Sequence, residues 1–187
     1  MNEAAGLGQY SAQPASGNIG RKRLRVIVSL FAVLTWVVSA AAYGGDPRVE
    51  RVLIDKSERK LVLLNGEQPL RTYSVALGAA PKGAKQFEGD QRTPEGVYTI
   101  DYRNAASAFH LALRISYPNE ADRVRALESG MDPGGQIMIH GLKNGQGWLG
   151  ERHLADDWTD GCIAVTNAEI EEIWSLVELG TPVEIRP

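Results

Sequence analysis

Apolar and polar positions alternate through the first part of the folded region in a way that predicts three consecutive strands. Residues 49–54 and 60–64 are apolar-rich, and Asn65-Gly66 directly after the second run is the dipeptide of a tight hairpin turn. Residues 71–77, R-T-Y-S-V-A-L, alternate polar with apolar, the period of a half-buried strand. That period is lost from Gly78 to Gly96, a long polar loop of the kind that is functional or disordered inside a compact domain. Strand character resumes at 97–101 and again at 111–115. Pro118-Asn119-Glu120 then opens a short helix over 121–128, closed by Ser129-Gly130. Residues 136–140 read as a buried strand that delivers His140 at its C-terminal end, and 163–165 as a further short strand. Thr166 and Glu169 have capping-box spacing at the head of a second helix. Its inner face is Ile170, Ile173, Trp174 and Val177, Gly180 stops it, and 182–185 form a last strand. The pattern predicts one mainly β domain with mixed sheets and two helices, without internal repeats.

The region before residue 49 has a different pattern. Residues 1–25 are polar and rich in small residues, ending in Arg21, Lys22, Arg23 and Arg25, and are expected to be disordered. An apolar run over 26–38 follows, closed by Ser39-Ala40-Ala41-Ala42. A basic flank, an apolar run and small residues fit a secretory signal cut after Ala42. Residues 24–43 are also long enough to stay in a bilayer as an uncleaved signal anchor, if tilted. Either way 26–42 directs the chain to the cell envelope (periplasm), secreted or anchored to the inner membrane. Residues 43–48 read as a linker into a domain over 49–186.

Composition then narrows the partners. Without residues 1–42 the chain keeps 16 basic and 22 acidic residues, a net charge of -6. An acidic exported domain has no electrostatic case for nucleic acid or an anionic membrane surface. With one cysteine in 187 residues there is no intrachain disulfide, and at this length a core forms without one. Oligomeric state is not legible.

The rare chemistry gathers in residues 139–167, which hold the only cysteine, Cys162, and two of the three histidines, His140 and His153. A free cysteine is most often a buried structural thiol, and a lone histidine most often a satisfied core residue. Their neighbours alter that balance. Gly161 permits close approach of backbone to substrate, and Asp160, Gly161 and Cys162 offer consecutive N–H groups to an oxyanion. His140 ends a strand 22 positions before the thiol. A cysteine beside an imidazolium ionises below its usual pKa of about 8.5. The other imidazole nitrogen needs an acceptor, for which the Gly141 carbonyl, Asp157 and Asp160 are candidates. A zinc site from His140, His153, Cys162 and an aspartate uses acceptable ligand types but lacks any C-x-x-C or H-E-x-x-H spacing; no metal or cofactor is expected.

His140-Gly141 followed by Thr159-Asp160-Gly161-Cys162-Ile163 resembles the signature of the YkuD-type L,D-transpeptidases, a His followed at a distance by Ser or Thr, any residue, Gly and Cys. Lys85, Glu88-Gly89-Asp90 and Arg92-Thr93-Pro94-Glu95-Gly96 resemble the family's characteristic loop, and Ser116-Tyr117-Pro118-Asn119 is also similar to it. The resemblance covers about 49–186. It implies a mixed β-sheet sandwich acting on peptidoglycan stem peptides. Cys162 would attack the carbonyl of the L-centre of diaminopimelate, releasing D-alanine and leaving a thioester. His140, oriented by the Gly141 carbonyl, would ionise the thiol and protonate the leaving amine. The backbone of Asp160, Gly161 and Cys162 would hold the oxyanion, and an amine on a second stem would resolve the thioester into a cross-link. Lys85, Glu88 and Arg92 would line the pocket and meet diaminopimelate carboxylates. Trp148 and Trp158, with His153 between them, would form a lid over substrate, while His110 reads as structural.

Two positions depart from the commoner family pattern. Asp160 stands where many members have His, and Ala164 where many have Arg. A carboxylate beside the thiol opposes thiolate formation unless it pairs with His140 or a bound ammonium. The alternative is therefore an L,D-carboxypeptidase, or a hydrolase of the same fold that releases envelope peptides or proteins from the wall. A non-catalytic wall-binding module is the third reading, against which the intact His-Gly and Gly-Cys elements argue.

Overall fold

The computed structural model describes residues 48–187. The segment 1–25, the apolar run 26–42 and residues 43–47 of the linker lie outside them, and so does the choice between a cleaved signal and an anchor at 24–43. Among the described residues no helix is long and apolar enough to cross a membrane.

The predicted meander is present as β1 (Arg51–Asp55), β2 (Lys60–Asn65) and β3 (Gln68–Ser74), paired antiparallel with Leu53 opposite Val62 and Leu63 opposite Arg71. Gly66 turns the β2–β3 hairpin at φ +55°, a conformation in which glycine carries no Cβ penalty. Alternation sends Val52, Ile54, Leu61 and Leu63 inward. The remaining strands are β4 (Gly96–Ser107), β5 (His110–Ile115), β6 (Met138–His140), β7 (Ile163–Ala164) and β8 (Pro182–Arg186). They form one mixed sheet in the order β3-β2-β1-β8-β4-β5-β6-β7. β8 lies parallel to β1, and β7 lies parallel to β6. Beyond β3, Ala76 exchanges two backbone hydrogen bonds with Ala164 of β7, at 3.0 and 2.9 Å. The two ends of the strand order are thus stitched together, and the sheet wraps one apolar core that includes Leu77, Ile100, Leu113, Ile139 and Ile163.

Two α-helices complete the fold. In α1 (Glu120–Glu128) the Asn119 side chain accepts from the Asp122 N–H and the Asp122 carboxylate accepts from the Asn119 N–H. In α2 (Asn167–Leu176) Thr166 and Glu169 make the expected reciprocal cap, and Ile170 and Ile173 enter the core. α2 stops earlier than Gly180, because the Val177 backbone turns extended after its N–H closes on the Ile173 carbonyl. A third, 3-10 helical segment, Gly147–Ala155, occupies the stretch expected to be a lid loop, and it is interrupted where Gly150 takes φ +50°.

The largest departure from the sequence pattern is the length of β4. Residues 102–107 have no apolar alternation, yet β4 continues to Ser107, held by β5 through two register shifts. The tip of this hairpin is clamped from outside. Asn144 donates through Nδ2 to the Ser107 carbonyl (3.1 Å) and accepts at Oδ1 from the His110 N–H (2.9 Å). This extension brings Phe109 over the β6–β7 edge, where His140 and Cys162 lie.

Candidate active site

β6 ends at His140, and parallel pairing sets His140 opposite Ala164 and Ile139 opposite Ile163. The chain enters β7 through Thr159-Asp160-Gly161-Cys162, so the thiol comes to the same sheet edge as the imidazole. Gly161 is required twice over. Its φ is +123°, and a Cβ there would lie 2.6 Å from the Arg92 carbonyl oxygen. Gly78 is constrained by sterics, with a Cβ position 2.2 Å from the Gln91 oxygen and 3.0 Å from the Gly161 Cα. Gly141 is held by sterics alone, since a Cβ would meet Asn167 and Ile170 at 2.9 Å each.

Thr159 fixes the approach to the thiol. Its buried hydroxyl donates to the Cys162 carbonyl (2.7 Å) and accepts from the Gly161 N–H (3.1 Å). Of the three N–H groups expected to face an oxyanion, that of Gly161 is therefore already engaged. The Cys162 thiol donates to the Gln136 carbonyl at 3.6 Å. His140 is 4% exposed and its Nδ1 lies 2.7 Å from the Gly141 carbonyl, the acceptor expected among the three candidates. With the proton on Nδ1, neutral His140 keeps Nε2 as a base. Asp157 is committed elsewhere: it pairs with Arg59 at 2.7 Å and accepts from the Leu77 N–H.

The electrostatics run opposite to a preformed thiolate–imidazolium pair. Burial pushes the Cys162 thiol above its ordinary pKa; the Met138 N–H and Lys85 act against that rise and the Asp160 carboxylate adds to it. Burial likewise pulls His140 below its ordinary value, against the bond to Gly141, with His153 adding to the fall. Both shifts favour the neutral forms, a thiol beside an imidazole.

His140 and Cys162 line one cleft of about 650 Å³, together with Phe109, Gln136, Met138, Lys143, Gln146, Trp158, Thr159 and Asp160, and residues 104, 107 and 108 of the hairpin. The volume is in the range of small-molecule sites. Phe109 leans on the imidazole (ring centroids 4.6 Å apart) and Trp158 meets it edge-on at 5.8 Å. Trp158 is therefore in the cleft wall, whereas Trp148 is 73% exposed and outside it. Behind Trp158 lies His153, buried, with Nδ1 3.5 Å from the Trp158 indole nitrogen and Nε2 without a partner among the described residues. No group of three or more His, Cys, Asp or Glu side chains among the described residues is disposed to hold a metal ion.

The charged residues of loop 78–96 are not among those that line the cleft, and Lys85 acts on the thiol only through its charge. Lys85 is buried against Asp90 at 2.8 Å, with side chains 3% and 5% exposed, and donates to the Phe87 carbonyl. Burial alone would raise the Asp90 pKa, but bonds from the Gln86 N–H, Lys85 and the Arg92 and Phe87 N–H groups outweigh it and hold the carboxyl below its ordinary value. Glu88 is exposed, its N–H bonded to the Asp132 carbonyl. Arg92 is half-buried, and its main-chain oxygen rather than its guanidinium abuts Gly161. Lys56, unremarked in the sequence, pins the loop from below by bonding Gly83 O, Thr93 O and Glu95. No motif marks Phe109 or Lys143 in the sequence either. Phe109 sits in a hairpin tip that periodicity does not reveal, and Lys143, three positions after His140, offered only its proximity as a signal.

Residues 49–185 match the family described as the L,D-transpeptidase catalytic domain, YkuD. YafK of Escherichia coli strain K12, whose L,D-transpeptidase designation is itself provisional, is 33% identical over 137 residues, which are 71% of this chain and 48% of YafK. Among solved structures, the helical cell shape determining protein Pgp2 from Campylobacter jejuni superposes with a TM-score of 0.58 at 26% identity, covering 75% of this chain and 48% of that one. Bd1075 of Bdellovibrio bacteriovorus gives 0.51 at 27% identity, covering 74% and 48%. The chain spans about half the length of these relatives.

Proposed function

The chain belongs to the L,D-transpeptidase catalytic domain family, and from that premise we propose that it is a cell-envelope acyltransferase acting on peptidoglycan stem peptides, with Cys162 as nucleophile. The observation that carries this reading is the convergence of Cys162 and His140 on one cleft, with the imidazole held by the Gly141 carbonyl so that Nε2 is a base. Because burial favours the neutral thiol and imidazole, the proton passes from Sγ to Nε2 in step with attack rather than beforehand. Sulfur bonds to the carbonyl carbon of the diaminopimelate L-centre. The N–H groups of Cys162 and Asp160 are the donors left for the oxyanion, since Thr159 engages that of Gly161. As the tetrahedral intermediate collapses, the C–N bond breaks and imidazolium Nε2–H protonates the departing amine, releasing D-alanine and leaving a thioester. An amine of a second stem then displaces sulfur, giving a cross-link.

Water in place of that amine makes the same site an L,D-carboxypeptidase. Disaccharide-tetrapeptide incubated with the full chain and analysed by mass decides between them. Cross-linked dimers support the transferase, tripeptide alone supports the hydrolase, and untouched tetrapeptide overturns the reading. Delivery to the envelope rests on the basic and apolar segment at 21–42.

A further inference from the structure

The fixed charges lining the cleft are one acid, Asp160, and one base, Lys143. Neither has an ion-pair partner among the described residues, and the Asp160 carboxylate accepts one hydrogen bond there, from the Gln91 amide at 3.4 Å. Strand register orders them. His140 lies opposite Ala164, so Cys162, just before β7, is level with Met138 at the start of β6, and its thiol reaches back to the Gln136 carbonyl. Asp160 precedes it across Gly161, whose φ of +123° ends the strand geometry. Lys143 follows three residues beyond His140 at the other end. Along the β6–β7 edge the sequence of groups is therefore Asp160, Cys162, His140, Lys143.

That order has a direction when the proposed acyl transfer is laid on it. The thiol must touch the acyl carbon and the imidazole must reach the leaving nitrogen. The acyl side of the donor then extends toward Asp160, and the departing residue toward Lys143. We propose that Asp160 and Lys143 set the polarity and charge specificity of the donor, Asp160 taking an ammonium on the acyl side and Lys143 the free carboxylate of the amino acid that leaves. This assignment rests on the reading of Cys162 and His140 above. In a stem tetrapeptide the side-chain ammonium of the diamino acid is the cation on the acyl side, and the leaving D-amino acid ends in a carboxylate one carbon from the departing nitrogen. An ammonium against Asp160 also offsets the carboxylate's field on the thiol, so a correctly charged donor assists its own nucleophile. A cation waiting for a terminal carboxylate makes the site a reader of peptide ends.

Three donors test this on the purified full chain: the tetrapeptide, its C-terminal amide, and its form N-acetylated on the diamino-acid side chain. For the parent, each modification should lower kcat/KM about 10-fold, mainly through KM, as loss of one charge-assisted hydrogen bond would. Lys143→Gln should turn over the free tetrapeptide about 10-fold less well and no longer distinguish it from the amide, while still discriminating against the acetylated donor. Asp160→Asn should show the converse. A Lys143→Gln chain that still rejects the amide, or an Asp160→Asn chain that still rejects the acetylated donor, overturns the proposal. If no donor is turned over, it is the catalytic reading that fails. Calorimetric titration of the same three donors into the Cys162→Ala chain then decides the charge assignment separately, equal affinities for all three counting against it.

Discussion

Residues 78–96 and residues 141–162 are two long polar stretches of the domain, and the charges nearest the heart of each are treated in opposite ways. In the first, Lys85 and Asp90 are buried against each other, and Glu95 is bonded to the buried Lys56. In the second, Lys143 and Asp160 face the cleft with no ion-pair partner among the described residues. The sequence makes the two look alike, and the first even richer in candidate ligands. Ions withdrawn from water survive only with a partner and hydrogen bonds, and that partner occupies the donors a substrate would need. The first loop therefore shapes the site with its backbone, through the Arg92 oxygen packed on Gly161. The second is left to supply charge to a ligand.

The largest effects should fall on the thiol of the second stretch and on the imidazole just before it, and leave folding untouched. Cys162→Ala and His140→Gln are each expected to lower turnover of tetrapeptide by at least about 10⁴-fold, since groups that act as one nucleophile–base unit fail together. The double variant should be hardly worse than either single one. Urea unfolding midpoints close to the parent's would confirm that chemistry alone was lost. A single variant that keeps full turnover would remove that residue from the reaction.

Next in size is the contrast between the loops' cations and acids. Asp90→Ala strands a buried ammonium and removes the acceptor of three N–H groups. It should cost about 3–5 kcal/mol of stability, a large share of the ~5–15 kcal/mol typical of a domain. Lys143→Gln, on an exposed and unpaired side chain, should stay within about 0.5 kcal/mol. Chemical denaturation of both variants measures the difference, and similar stabilities would erase the distinction between the loops.

How far the sequence disclosed these roles depends on whether they leave a local mark. The β1–β3 meander, the Thr166 cap and His140 at a strand end were legible, because alternation and capping spacing are properties of neighbouring residues. Gly161 was legible as a glycine beside a thiol, though its reason, the Arg92 oxygen 69 positions upstream, was not. The extension of β4 to Ser107 could not be read, since residues 102–107 lack alternation and are held by β5 and Asn144. Lys85 and Asp90 are five apart in an irregular loop, where no period tells a paired charge from an open one. That is why Lys85, Glu88 and Arg92 read as pocket residues while nothing local marks Phe109 or Lys143.

A smaller effect is expected at Thr159, the link between the two stretches. Its carbonyl accepts from Ala79 (2.9 Å) while its hydroxyl holds both Gly161 and Cys162. Thr159→Val preserves shape and leaves the Gly161 N–H unsatisfied, which should cost about 1–3 kcal/mol. Thr159→Ser should restore most of it. A larger loss in Ser than in Val would mean that the methyl, not the hydroxyl, is what matters.

The gentlest probe is pH, and it separates the two regions by window. Burial holds both His140 and His153 below their ordinary pKa. On acidification the unfolded chain binds protons near pH 6.5, while the folded chain keeps these rings neutral. The unfolded state then carries more protons, so stability should be full above about pH 7 and decline as pH falls through 6.5, by up to about 1.4 kcal/mol per pH unit for each ring. Asp90 acts in a lower window. Its folded pKa lies below the ordinary carboxyl value, so the unfolded chain takes up that proton first and stability from the Lys85 pair is lost only below about pH 4. Denaturation midpoints at pH 8, 6.5, 5 and 3.5 should therefore fall in two steps. His153→Gln should flatten the upper step without moving the lower, and Asp90→Asn should do the reverse. An upper step unchanged in both His153→Gln and His140→Gln would mean that these rings take up protons in the folded domain, and the neutral thiol–imidazole pair would have to be abandoned with it.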